Sequence, residues 1–178
     1  MGYSRHRKSG DSVSGSHTLN ETERQVQTKL SGMSLDFDSM AAISNVFRAA
    51  NATRNFLERT VLSPHDLSWT AFVVLWVSWI WEPIETRTIA EEGGFSKATL
   101  TGVLATLESR GLIVRERSAQ DKRLMIVTLT AKGRKLMHKL FPEFNQHEQQ
   151  VLEKLSLAQK RELTESLRKI TAFAEGSN

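Results

Sequence analysis

The chain has 178 residues, of which 39% are apolar and 25% charged, the balance of an ordinary globular protein able to bury a core. It contains no cysteine, which excludes a disulfide framework, a thiolate metal site, an iron–sulfur cluster and a thiol nucleophile. The formal net charge of +4 is a modest basic excess whose meaning depends on where the cations cluster.

Residues 1–19 hold Arg5, His6, Arg7 and Lys8 among glycines and serines and are expected to form a disordered basic arm. No apolar segment follows that polar start, so no secretory signal is read and the cytoplasm is the expected compartment. Asn20 with Glu23 has the spacing of a capping box, which predicts a short helix within 20–32. From Asp36 to Arg59, Ile43, Val46, Phe47, Ala50, Phe56 and Leu57 recur at helical spacing, predicting a long amphipathic helix within 33–62.

Ser63-Pro64 ends that helix, and Ser68 is the expected N-cap of a second one, Trp69–Trp81, stopped by Glu82-Pro83. This stretch is apolar on nearly every face but shorter than the ~20 residues of a membrane span, so it is read as a helix buried in the core. Thr86 is the expected cap of a short helix over 87–92, closed by Gly93-Gly94, and Ser96 the cap of the next. That helix runs to Arg110, with Leu100, Val103, Leu104 and Leu107 turned inward, and Gly111 terminates it. Two short helices joined by a glycine turn make a helix-turn-helix.

The β-rich runs 112–117 and 124–130 flank a polar tip and read as a two-stranded wing. Beyond them Leu136, Leu140, Phe144, His147, Val151 and Leu155 step by four and three, as a helix–helix seam requires. Ser156 and Gln159 form a capping box before a last helix bearing Leu163, Leu167 and Ile170. The predicted fold is α+β and mainly helical: a winged helix-turn-helix at 63–130, flanked by long N- and C-terminal helices at 33–62 and 131–178.

In a helix-turn-helix, the N-terminal part of the second helix meets base edges in the major groove of double-stranded DNA. This assigns Ser96, Lys97, Thr99, Thr101 and Gly102 to DNA, small or hydroxyl side chains allowing close approach and Lys97 bringing charge to the phosphates. In the wing, Arg115, Arg117, Lys122 and Arg123 lie within nine residues, opposed by Glu116 and Asp121. A cation at a hairpin tip suits the negative potential of a minor groove. Asp121 is placed to orient Arg123 through a carboxylate fork.

Taken together, these residues resemble the MarR family of bacterial multiple-antibiotic-resistance-type regulators, over Asp36 to Phe173. The resemblance is carried by Leu67-Ser68 with Phe72 and Leu75, by the run from Ser96 to Gly102, and by Leu107-Glu108-Ser109-Arg110-Gly111-Leu112. The wing matches best, with Asp121-Lys122-Arg123 followed by Val127-Thr128-Leu129-Thr130 and Gly133. It implies a homodimer built from the first helix and the last two, reading a palindromic operator as a transcriptional regulator, more often a repressor. Arg123 would then reach a minor groove, steered by Asp121. It also implies release from DNA by a small phenolic or amphipathic ligand held in a crevice, for which His65, Trp69 and Trp76 are the candidate lining residues. The plainer alternative makes the tryptophans core residues. Where Gly102 stands many members carry arginine and others glycine, and Arg87 departs from the neutral or acidic residue common at its position.

The absence of cysteine excludes the thiol-oxidation switch of some relatives. No Gly-x-Ser-x-Gly, His-Glu-x-x-His or phosphate-binding glycine loop is present, and the five histidines are dispersed. No enzymatic activity, cofactor or metal is therefore expected. The competing reading from another class is a winged helix acting as an architectural or protein-interaction module without operator specificity.

Overall fold

A computed structural model describes residues 13–14 and 17–176, arranged in two compact units, 1–52 and 53–178. Most of the expected basic arm, Arg5 to Lys8 included, lies outside the described residues.

In the first unit, β1 (Val13–Ser14) pairs antiparallel with β2 (His17–Thr18), and α1 (Leu19–Lys29) follows directly. The capping box of α1 is Thr18 with Glu21, rather than Asn20 with Glu23. The Thr18 hydroxyl accepts from the Glu21 N–H at 3.1 Å, and the Glu21 carboxylate accepts from the Thr18 N–H at 2.7 Å. Glu23 instead accepts from the Asn45 amide, at 2.7 Å. Asn45 belongs to α2 (Phe37–Leu57), whose N-terminus is fixed by the Asp36 carboxylate accepting from Ser39. Met40, Ile43 and Phe47 of α2 stay exposed.

The second unit begins in the last turn of α2, which widens into a π-helical turn, Glu58–Leu62, and then tightens into a 3-10 turn, Ser63–His65. It continues with α3 (Trp69–Trp81), β3 (Ile84–Glu85), α4 (Thr86–Gly93), α5 (Lys97–Ser109), β4 (Ile113–Arg117), β5 (Met125–Leu129), α6 (Ala131–Val151) and α7 (Leu157–Ala174). The antiparallel sheet has the order β3-β5-β4, so β5 is central. Its core joins Val61 and Leu62 to Phe72 and Leu75 of α3, Leu100, Leu104 and Leu107 of α5, Val127 and Leu129 of β5, and Met137, Leu140 and Phe144 of α6. Phe72 stacks on Phe144 with ring centroids 4.3 Å apart. Side chains deleted from such a core cost both the lost burial and the cavity left behind.

Several expectations need correction. Only one side of α3 is core: Phe72, Val74, Leu75, Val77 and Ser78 are buried, Trp69 and Trp79 are half-buried, and Trp76, Ile80 and Trp81 are exposed. Thr86 is the first residue of α4, and the cap position, Glu85, which ends β3, makes no side-chain cap bond. Helix α6 ends at Val151, so Leu155 lies outside it, and Val151 is exposed. The caps Ser68, Ser96 and Ser156 with Gln159 are as expected.

The junction of wing and α6 explains the Thr-x-x-Gly spacing. The Thr130 hydroxyl accepts from the Gly133 N–H at 3.0 Å and donates to the Gly111 carbonyl at 2.7 Å, while the Thr130 N–H donates to the Leu112 carbonyl at 3.0 Å. Gly133 is required by close approach, since a Cβ there would stand 2.0 Å from the Leu112 carbonyl oxygen. Beyond this junction α7 has no buried residue, and Leu163, Leu167, Ile170 and Phe173 are exposed. Among the described residues, no helix is long and apolar enough to cross a membrane.

Candidate nucleic-acid interface

The turn between α4 and α5 is set by Gly94, whose φ of 64° is left-handed and costs glycine nothing. Its N–H donates to the Ala90 and Glu91 carbonyls, and the Phe95 N–H also reaches Ala90. Ser96 then starts α5: its Oγ accepts from the Thr99 N–H at 3.1 Å and lies 2.8 Å from the Thr99 hydroxyl. The Thr101 hydroxyl donates to the Lys97 carbonyl at 2.8 Å. Leu100, Leu104 and Leu107 are buried, while Ser96, Lys97, Thr99, Thr101 and Gly102 are all exposed. An added Cβ at Gly102 would meet nothing within 4 Å, so nothing within the chain requires glycine there.

The other end of α5 is anchored. The Arg110 guanidinium donates to the His65 and Asp66 carbonyls, and the Lys132 ammonium donates to the Arg110 carbonyl. Arg115, assigned from sequence to DNA, turns back onto α5. Its guanidinium and backbone N–H both bond the Glu108 carboxylate, and the side chain is only 26% exposed. Arg115 holds the Glu108 carboxyl below the usual carboxylate range, chiefly through this side-chain bond. The pair fixes β4 to α5.

At the wing tip the Ser118 hydroxyl, buried, accepts from the Gln120 and Asp121 N–H groups and organises the turn. Arg117 donates to the Lys122 carbonyl at 2.8 Å, and Lys122 itself is exposed. The carboxylate fork on Arg123 is present: Nε donates to Asp121 Oδ1 at 3.0 Å and Nη2 to Oδ2 at 2.9 Å, with the Arg123 N–H on Oδ1 at 2.9 Å. Arg123 holds the Asp121 carboxyl below its usual range, and Asp121 raises the arginine in return. The Arg123 side chain remains 89% exposed. Its charge is therefore steered without being hidden.

Between α4, α5 and the wing lies a cleft of about 450 Å³ floored by Ala90, Leu100, Leu104 and Met125 and rimmed by Arg87, Lys97 and Thr101. His65, Trp69 and Trp76 do not line it. The His65 imidazole stands 3.9 Å from the Glu143 carboxylate, Trp69 packs against Phe72 and Phe144, and Trp76 is exposed. Sequence reasoning missed the Arg110 and Glu108 contacts, which span loops no periodicity reveals, and a third anchor at Glu82, described below.

A helix-turn-helix whose second helix bares polar residues beside an arginine-tipped hairpin is the reading head of a winged-helix DNA-binding protein. The MarR family pattern matches residues 67–125. The HTH-type transcriptional regulator YwaE of Bacillus subtilis (strain 168) is 35% identical over 155 residues, covering 85% of this chain and 91% of that protein. The chain belongs to the MarR family and is a DNA-binding transcriptional regulator. Among solved structures, BpsR of Bordetella bronchiseptica, whose DNA binding is regulated by 6-hydroxynicotinic acid, superposes with a TM-score of 0.67 at 25% identity, over 72% of this chain and 91% of that one. Sco3205, a MarR family regulator from Streptomyces coelicolor in complex with DNA, shares the fold with a TM-score of 0.72 at 19% identity, over 79% of this chain and 89% of that one.

Proposed function

We propose that this regulator is a cytoplasmic homodimeric repressor that reads a palindromic operator and leaves it on binding a small phenolic or amphipathic ligand. The observation that carries the reading is the exposed polar face at the start of α5 standing beside the exposed, oriented Arg123. Thr99, Thr101 and Gly102 meet base edges in the major groove, Ser96 and Lys97 meet phosphates, and Arg123 enters the flanking minor groove with Lys122 on its backbone. Arg117 braces the tip through Lys122, and Arg115 serves the interface by positioning β4.

Dimerisation is supported within each unit separately. Helix α2 leaves Met40, Ile43 and Phe47 exposed, and α7 leaves Leu163, Leu167, Ile170 and Phe173 exposed, apolar faces that isolated helices do not sustain in water. The ligand reading draws on BpsR, whose DNA binding responds to 6-hydroxynicotinic acid. Trp69 and Trp76 are seven residues apart and so on one face of α3, and with His65 they are the side chains assigned to such a ligand, apart from the cleft between α4, α5 and the wing.

Selection of binding sites from a random duplex pool at near-physiological salt tests this reading, because nonspecific phosphate attraction is then suppressed. An enriched palindrome with half-sites about one helical turn apart is expected. Salt-sensitive binding without any enriched motif would replace the operator reader by an architectural binder.

A further inference from the structure

The wing must place Arg123 accurately, yet the strand that carries it is poorly supported along one edge. Strand β5 pairs with β4 over five residues, but on its other side β3 offers only Ile84 opposite Val127 and Glu85 opposite Ile126. Continuing that register places Glu82 opposite Leu129, where Pro83 breaks the strand and has no N–H to give. The side chain of Glu82 takes over. Its carboxylate accepts from the Leu129 N–H at 2.7 Å, so that a buried backbone donor is not left unsatisfied.

The same carboxylate is gripped from α6. Arg134 Nε donates to Oε1 at 2.7 Å and Nη2 to Oε2 at 2.9 Å, a two-point fork that fixes the plane of the carboxylate as well as its position. The Glu82 side chain is only 16% exposed, whereas Arg134 is 42% exposed. One carboxylate thus ties the end of α3, the root of β5 and the first turn of α6.

We propose that Glu82, locked by Arg134, is a positioning residue for DNA binding that sets the angle of the wing. The inference rests on the reading of Arg123 as a DNA contact. Its leverage is geometric. Strand β5 runs back from Leu129 to Met125, roughly 13 Å at the rise of a β-strand, and Arg123 lies two residues beyond it in the tip. A tilt of about 10° at the root moves the far end of the strand by roughly 2.3 Å, over a third of the ~6 Å width of a minor groove, and the tip by more. Glu82→Gln keeps an oxygen for the Leu129 N–H but sets an amide NH2 against the guanidinium, freeing the root while sparing the ladder bond.

The test is a thermodynamic cycle on the full-length protein, read as affinity for random-sequence duplexes of about 30 base pairs, enough for two half-sites. Glu82→Gln is expected to weaken binding about tenfold alone, by roughly the same factor in a Thr99→Ala background, and by a factor near one in an Arg123→Ala background. Equal factors in all three backgrounds, or no effect of Glu82→Gln on affinity, would overturn the inference and leave the wing reading intact. No effect of Arg123→Ala itself would remove the wing reading and this inference with it. Should Glu82→Gln fail to fold, Arg134→Gln runs the same cycle, because it breaks the fork and leaves the Leu129 bond in place.

Discussion

Gly102 stands in the second turn of α5 with open space where a side chain would begin. Glycine inside a helix costs about 1 kcal/mol relative to alanine, and no neighbour compensates for it here. Gly102→Ala should therefore raise the thermal unfolding midpoint, by about 0.5–1 kcal/mol of added stability. If α5 meets DNA closely at this point, the same variant loses operator affinity, which separates fold from function in one substitution. The electrostatics of Asp121 have a definite sign. Because Arg123 depresses its folded pKa, the stabilising fork is present above the ordinary carboxylate range and is lost only as pH falls through the depressed value. Neutral solutions leave the wing tip fully braced. Asp-x-Arg was readable in the sequence because both partners sit within one turn. Arg115 was misleading because its acceptor, Glu108, lies on another element, and charge spacing alone cannot distinguish a solvent-facing arginine from one folded back.

The elements themselves were largely legible where local chemistry decides them. Serine caps at Ser68, Ser96 and Ser156 mark helix starts because an unpaired N–H at a helix terminus needs an acceptor. Two-residue strands have no periodicity to detect, so β3 was not foreseen, and with it went any hint that Glu82 supports β5. The sidedness of α3 was equally hidden, since an all-apolar sequence does not say which face its neighbours cover. The Thr130 and Gly133 junction was visible as a motif, while its reason, the Leu112 carbonyl, is tertiary. Gly133→Ala should cost about 3 kcal/mol or more, because the obstacle is backbone rather than a pliable side chain. Chemical denaturation measures this directly, and an alanine tolerated without loss would show that the wing root can shift.

For the whole molecule, the decisive feature is the number of apolar residues a single chain leaves uncovered. On the proposed homodimer, Leu167→Asp, on the exposed face of α7, should convert dimer to monomer in sedimentation experiments while leaving the buried core of the second unit intact. The wild-type unfolding midpoint should rise with protein concentration, and that dependence should vanish in the variant. A concentration-independent midpoint in the wild type would argue against the dimer.

The separation of α7 from the reading head also has a genetic consequence. On the proposed homodimer, a chain with a ruined α5 but an intact α7 still finds partners, so it spoils the products of a sound allele rather than simply being lost. Such alleles should behave as dominant, and adding Leu167→Asp to the same chain should make them recessive, as expression of an operator-linked reporter in a strain carrying both alleles would reveal.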